Sequence, residues 1–321
     1  MCGIAGVLGH PDAGVLHRMN RLQAHRGPDE NDVWMDEQVG FAHARLSIVD
    51  LESSQQPMQD PDGTVVVMNG EIYNHRQLRR LHTTYPFSTA GDTEAVLAVH
   101  RSAVTAHTTL TAREHASWLS NLDGMYAIAL WNPATQELIL ARDPMGIKPL
   151  VRTTVEDSLM FASEIKAFQA HEAHRPVLDD VAMAARLVWE YPLDGTTLLK
   201  GVQQVRPGTV ERWTLTDSGS PVLLDVANIE RQALAPSGSW NPDTQASALL
   251  ESFVEGVQQR LMADVPVGIV LSGGLDSSLV AAVAHEAAER AHQPVPECWT
   301  VAENEDNPDW KAAEVVASHH D

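Results

Sequence analysis

Apolar residues fall in two different rhythms along this chain. Over the first two thirds, short apolar runs are cut by Gly, Pro, Asn and Asp. Gly3-Ile4-Ala5-Gly6-Val7 predicts a short buried strand. Pro11 to Leu22 predicts a loop and then a helix, and His25-Arg26-Gly27-Pro28-Asp29 a turn. A strand is expected over Gly40 to Leu51, with Arg45 inside it, and another over Thr64 to Met68, turning at Asn69-Gly70-Glu71-Ile72-Tyr73-Asn74. Arg76 to Leu81 looks helical, and Asp92 is placed to cap a helix running through Arg101. Residues 102–117 are polar and are expected to be a variable loop or insertion. Leu122 to Arg142 predicts a hairpin turning at Asn132-Pro133, and Asp143 to Leu150 a rigid connector. Ser158 to Phe168 predicts a strand entering a helix, and Asp179 to Trp189 a helix. Thr196 to Leu215 alternates strands around a Pro207-Gly208 turn. Residues 2–215 therefore predict one α+β domain.

The rhythm then changes. Residues 216–242, with Asp217, Ser218, Gly219, Pro236, Ser237, Gly238 and Pro242, are expected to be a linker. From 243 to 321 the order is helix (Gln245–Leu261), strand (Val267–Leu271), helix (Ser277–Ala291), strand (Cys298–Ala302), helix (Asp309–His319). That succession signals a parallel α/β sheet. No internal repeat or low-complexity tract interrupts it.

Composition narrows the function. The 321 residues suit two domains. A net charge of −21, with lysine only at 148, 166, 200 and 311, argues against nucleic acid, which needs a basic footprint. The same acidity suits a high-salt cytoplasm. No apolar run approaches a membrane span, and the start lacks the basic and apolar segments of a signal peptide. Cys2 and Cys298 are the only cysteines, so a disulfide framework is not expected and a reducing, cytoplasmic compartment fits.

Candidate chemistry begins at Cys2. Removing Met1, which a small second residue permits, would leave a thiol beside a free α-amine of pKa about 7.7–8.0. Nucleophile and base would then share one residue. The alternative is a small apolar residue near a frayed end. Arg45, amid Phe41, Ala42, Leu46, Ile48 and Val49, either meets an anion if buried or reaches water from an edge strand. Asn69 and Gly70 offer two neutral donors to an oxyanion, or form an ordinary hairpin turn. Asp92 is a site residue or simply a cap. Ser272-Gly273-Gly274-Leu275-Asp276-Ser277-Ser278 joins a strand to a helix, where N–H groups and hydroxyls can crowd round an anion. Asp276 could reach a magnesium ion shared with phosphates. The loop lacks the lysine of a Walker A motif and looks like the pyrophosphate-gripping loop of ATP pyrophosphatases; the alternative is a glycine turn with a cap.

Taken together, Met1-Cys2-Gly3-Ile4-Ala5-Gly6, His25 through Asp29, Arg45-Leu46-Ser47-Ile48-Val49-Asp50, Asn69 through Asn74, Gly91-Asp92-Thr93-Glu94, Arg142-Asp143 with Gly146 and Pro149-Leu150, and Leu271 through Ser278 resemble glutamine-hydrolysing asparagine synthetases. The resemblance implies an αββα N-terminal nucleophile domain, a class II glutamine amidotransferase, ahead of an ATP-pyrophosphatase domain. It implies that Cys2 attacks the glutamine amide to form a thioester while its amine moves the proton, and that Asn69 and Gly70 form the oxyanion hole. Arg45 would pair with the glutamine α-carboxylate, Leu46, Ser47, Ile48 and Val49 would line the pocket as a strand, and Glu71 and Asp92 would hold polar groups, Asp92 the α-ammonium. Ammonia would pass inside the protein to the second domain. There ATP and Mg2+ would activate aspartate as β-aspartyl-AMP, with Ser272, Gly273, Gly274, Asp276 and Ser277 on the nucleotide and Leu271 and Val301 flanking the adenine. The family suggests a homodimer. Its members continue well beyond this point, so the resemblance leaves open a fragment of a longer gene, half of a split enzyme with a separate C-terminal partner, or a stand-alone glutaminase.

Overall fold

The first strand, β1 (Gly3–Leu8), sends Ile4 and Leu8 to one face and Ala5 and Val7 to the other. Gly6 shares the face of Ile4 and Leu8, and a Cβ there would lie 2.2 Å from the Phe161 ring. The computed structural model describes residues 1–104, 109–191, 193, 195–230 and 239–320, and the chain divides into two units, Met1–Ala233 and Leu234–Asp321.

In the first unit β1 is followed by α1 (Ala13–Leu22), β2 (Glu30–Met35), β3 (Val39–Arg45), β4 (Met58–Gln59), β5 (Val65–Ile72), α2 (His75–Leu81), α3 (Thr93–Ala103) and α4 (Ala112–Leu119). Then come β6 (Gly124–Asn132), β7 (Glu137–Arg142), β8 (Val151–Val155), β9 (Ser158–Ala162), α5 (Asp180–Trp189), β10 (Gln203–Gln204), β11 (Thr209–Leu215) and β12 (Pro221–Asn228). One antiparallel sheet has the order β10-β8-β9-β1-β3-β2, the other β12-β11-β7-β6-β5-β4. Their facing sides share a core that includes Ile4, Phe41, Val65, Val67, Trp131 and Phe161. Helix α1 covers the outer face of the first sheet through Leu16 and Met19. Helices α3 and α4 cover the second through Leu97, Trp118 and Leu119, against Val66 and Met68. Alternation along β5, Val65 and Val67 inward and Val66 and Met68 outward, thus builds a four-layer helix–sheet–sheet–helix sandwich.

Several expectations change. Helix α4 replaces the loop expected over 102–117, of which residues 105–108 lie outside the described residues. Thr111 and Glu114 close a capping box, a serine/threonine-to-glutamate spacing readable in the sequence. The stretch expected as a linker contains β12, which pairs with β11 along Thr209↔Asn228 to Leu215↔Pro221; residues 231–238 lie outside the described residues. Of the turn expected at Asn69–Asn74, Asn69 to Ile72 is instead the second half of β5 and only Tyr73 and Asn74 turn, and the strand expected to run to Leu51 ends at Arg45.

Between α3 and α4, Trp118 Nε1 donates to His115 Nδ1 at 3.0 Å, and His100 stacks on His115 with centroids 6.1 Å apart. Burial pushes His100 down to about 3. Burial, with Arg212 adding to it, pushes His115 down to about 4. Both rings are neutral at pH 7. The unfolded chain takes up its protons below about 6.5 while the folded chain does not, so the contribution is full above 6.5 and is lost as pH falls toward 4. Each ring contributes a slope of about 1.4 kcal/mol per pH unit in that window. His100→Gln should therefore flatten the loss of urea-unfolding free energy between pH 6.5 and 4. An unchanged slope would show that the histidine pair does not govern acid stability.

The second unit contains α6 (Pro242–Arg260), β13 (Gly268–Val270), α7 (Leu275–Ala291), β14 (Glu297–Trp299) and α8 (Pro308–His320). β13 and β14 are parallel, in the register Gly268↔Glu297 to Val270↔Trp299, as the alternating pattern predicts. Val254, Val257 and Leu261 of the α6 segment pack on Val283, Ala287 and Ala288 of α7. Arg290 ties the same helices by bridging Glu251 and Glu286. Among the described residues no helix is long and apolar enough to cross a membrane.

Candidate active site

Period-two alternation brings the candidate residues together at one end of the sandwich. Extending the inward set of β1 (Ile4, Leu8) back by two residues reaches Cys2, and extending that of β3 (Val39, Phe41) forward reaches Arg45. On β5 the inward set Val65 and Val67 continues to Asn69 and Glu71. Four residues from three distant stretches of the chain therefore face the gap between the sheets.

The Cys2 thiol is half-buried. It donates to the Leu46 carbonyl at 3.6 Å and accepts from the Leu46 N–H at 3.5 Å. Burial pushes the thiol above its ordinary value, and the charges of Glu71 and Asp92 add to that rise. Burial likewise draws the chain's α-amine, on Met1 here, below its ordinary value. A thiol held up and an amine held down move apart in proton affinity, so at rest the thiol keeps its proton and the amine stands as a free base.

Asn69 is fully buried, and among the described residues neither its Nδ2 nor its Oδ1 has a partner. A buried amide without partners is costly, and native structures keep few of them. Gly70 is not at a turn. It pairs with Tyr126 in the β5–β6 ladder, and a Cβ would lie 2.3 Å from the Met125 carbonyl, so close strand approach explains the glycine. Its N–H is nevertheless available by another route. β4 covers the far edge of β5 only at Val65 and Val66. Along that edge Met68 N–H donates to Gln56 Oε1 at 2.6 Å and Ile72 N–H to Asp92 Oδ2 at 2.8 Å. Alternation aims the Gly70 N–H to the same side, between the two.

Asp92 stands at the cap position of α3 but makes no side-chain cap bond. Its carboxylate reaches back to β5 instead. Glu71 and Asp92 are both raised by burial, and the charge of Asp92 lifts Glu71 further. A bound cation would relieve both.

Arg45 is buried, not at a water-facing edge, and it has found its anion: Nη1 bonds Glu30 Oε2 at 3.0 Å. Nη1 and Nη2 also donate to the carbonyls of Leu51 at 3.3 Å and Asp50 at 2.6 Å. Ser47 N–H donates to Asp29 Oδ2 at 2.8 Å. Because β3 stops at Arg45, residues Leu46, Ser47, Ile48 and Val49 are a half-buried loop running past Cys2, not a strand.

Sequence reasoning assigned no role to two residues that belong here. Arg26 donates from Nε to the Cys2 carbonyl at 2.9 Å. Lys148 is buried; burial pulls its ammonium down, and the charges of Glu71 and Cys2 hold it up. The available signal was scarcity, since Lys148 and Lys166 are two of four lysines and Lys166 contacts Glu164 beside Arg26.

In the second unit Gly274 caps α7, Gly273 takes φ +74°, and Ser272 and Ser277 share a hydroxyl contact of 3.1 Å. Asp276 is exposed in the first turn of α7. Leu271 is buried just after β13, whereas β14 ends at Trp299, short of the expected Ala302. Val301 consequently lies outside the sheet and is 91% exposed.

Comparison with known proteins places both units. A family described as glutamine amidotransferase domain matches residues 1–220, and one described as asparagine synthase matches residues 248–321. Asparagine synthetase [glutamine-hydrolyzing] 1 of Bacillus subtilis is 34% identical over 296 residues, covering 89% of this chain and 44% of that protein. Asparagine synthetase B [glutamine-hydrolyzing] of Escherichia coli is 32% identical, covering 99% of this chain and 52% of that protein. The amidase chry2 of Gibberella zeae is 33% identical over 88% of this chain and 42% of that protein. The chain thus spans about half the length of these relatives. A solved structure of the allosteric regulatory enzyme of purine biosynthesis matches 98% of this chain and 70% of that one with TM-score 0.50 and 17% identity, a likeness of fold. The inward-facing thiol, amide and carboxylates of the first unit therefore lie in an N-terminal nucleophile sandwich, and the protein belongs to the glutamine amidotransferase family.

Proposed function

We propose that the first unit hydrolyses glutamine at Cys2 and that the protein uses the ammonia to amidate aspartate at the expense of ATP. The observation that supports it most is Asn69, a fully buried amide with no partner among the described residues, turned into the same gap between the sheets as the Cys2 thiol. In this reading the α-amine of Cys2, freed by loss of Met1, takes the thiol proton, and sulfur attacks the side-chain carbonyl carbon of glutamine. Asn69 Nδ2 and the Gly70 N–H hold the oxyanion. The amine returns its proton to the departing nitrogen, ammonia leaves, and water hydrolyses the thioester. A substrate α-ammonium would sit against Asp92 and Glu71, which burial otherwise pushes toward their neutral forms. Arg45 has five N–H donors, three of them bonded to Glu30, Asp50 and Leu51, so an α-carboxylate would share it with Glu30.

For the second unit, the asparagine synthase match supports ATP use, with Ser272, Gly273, Gly274 and Ser277 round the phosphates. Leu271 and Val301 would stand beside the nucleotide's base, and Val301 would have to be covered on binding. Magnesium would neutralise phosphate charge. Asp276, exposed at the start of α7, fits as a single carboxylate ligand, the sparse protein ligation usual for this ion beside phosphates. The exposed, unbridged thiol of Cys298 fits a cytoplasmic setting.

The test measures ammonia from glutamine and pyrophosphate release dependent on ATP and aspartate. Both are expected. No glutamine hydrolysis would overturn the first assignment, and pyrophosphate release indifferent to aspartate would overturn the acceptor.

A further inference from the structure

Ser163 and Glu164, just after β9, close around the start of the chain. Ile4 N–H donates to Ser163 Oγ at 3.0 Å, and Ser163 N–H donates to the Ile4 carbonyl at 2.9 Å. The next side chain, Glu164, accepts from Arg26 Nη1 at 2.9 Å and meets His25 Nε2 at 3.0 Å and Lys166 Nζ at 3.0 Å. Arg26, with a side chain only 9% exposed, passes this hold on by donating Nε to the Cys2 carbonyl. One guanidinium therefore joins the candidate nucleophile to a carboxylate lying 162 positions further along the chain (164 minus 2).

We propose that Glu164 is a positioning residue for Cys2, acting through Arg26. The inference rests on the reading of Cys2 as the nucleophile and adds to it. Cys2 precedes β1, so the sheet ladder does not fix it. Among the described residues its hydrogen bonds are the weak sulfur pair to Leu46 and the bond from Arg26 to its carbonyl. A guanidinium presents a planar fork and can satisfy a carbonyl and a carboxylate at once in a set geometry. Without Glu164 that fork, nearly buried, loses the anion that orients it. Partial burial lifts the Glu164 carboxyl, but hydrogen bonds from Arg26, Lys166 and His25 outweigh it and pull the group down to about 2. The anchor thus stays charged at any pH at which the enzyme works. A purely stabilising ion pair would, on loss of Glu164, lower the melting temperature and leave the kcat of the folded protein unchanged.

The decisive measurement is a double-substitution cycle on the full chain, with glutamine hydrolysis as readout. Glu164→Gln should lower kcat about 10–100-fold and leave KM within about threefold, as misplacement of a reacting group does. Glu164→Asp, which keeps the charge and shortens the reach, should recover part of the loss. It carries the test if Glu164→Gln does not fold. In an Arg26→Ala background, Glu164→Gln should change kcat no further. An unchanged kcat in the single variant, or a full additional loss in the Arg26→Ala background, would overturn the proposal while Cys2→Ala remained inactive. Hydrolysis surviving in Cys2→Ala would instead overturn the nucleophile assignment itself.

Discussion

Cys2→Ala should reduce glutamine hydrolysis on the order of 10⁴-fold or more, as loss of a covalent nucleophile does, with little change in thermal stability. The thiol is half-buried at the end of β1, and its bonds to Leu46 are long sulfur contacts, so its removal leaves the sandwich core intact. The demand for a local base is physical. Burial raises the thiol, and two carboxyl groups, the half-buried Glu71 and the buried Asp92, oppose its ionisation further. With Met1 attached, the nitrogen of Cys2 is an amide and cannot accept the proton. Activity should therefore track the fraction of chains lacking Met1 in intact-mass spectra. Full turnover in chains that retain Met1 would require a different base and would sink the N-terminal nucleophile mechanism for this protein.

The chemistry-bearing residues were legible from their types and from the family resemblance, and alternation explains why the fold makes them meet. Once β1, β3 and β5 are placed in a two-sheet core, Cys2, Arg45, Asn69 and Glu71 must face one gap. What the pattern could not supply was the course of the backbone between apolar positions. Asn69-Gly70 carries the local signal of a hairpin, yet β6 pairs through it from Ile72↔Gly124 to Val65↔Trp131, and tertiary pairing overrode the local preference. Leu46 to Val49 is apolar enough to continue a strand. It leaves the sheet because Arg45 is fastened to Asp50 and Leu51 ahead of it, and Asp50 takes φ +50°. Partners of buried charges were also out of reach. Nothing along the chain marks Glu30 as the anion of Arg45, or Glu164 as that of Arg26, because those pairs form only when the sheet brings distant segments together.

Asn69→Ala should lower kcat about 10²–10³-fold, the usual effect of removing one oxyanion donor, and should leave KM nearly unchanged, because the lost bond forms only with the developing charge. Its effect on stability separates this role from a structural one. An amide that holds the fold together is hydrogen-bonded, and deleting it strands its partners. Among the described residues the Asn69 amide has none, so the resting protein already carries the full penalty of a desolvated polar group. Alanine removes that penalty at the expense of a small void between the sheets, next to Val67 along β5 and Ala127, the cross-strand partner of Asn69. The melting temperature should therefore hold or rise while turnover collapses. A variant that loses stability and activity together would identify Asn69 as a packing residue, and Gly70 would be left as the remaining donor proposed from β5.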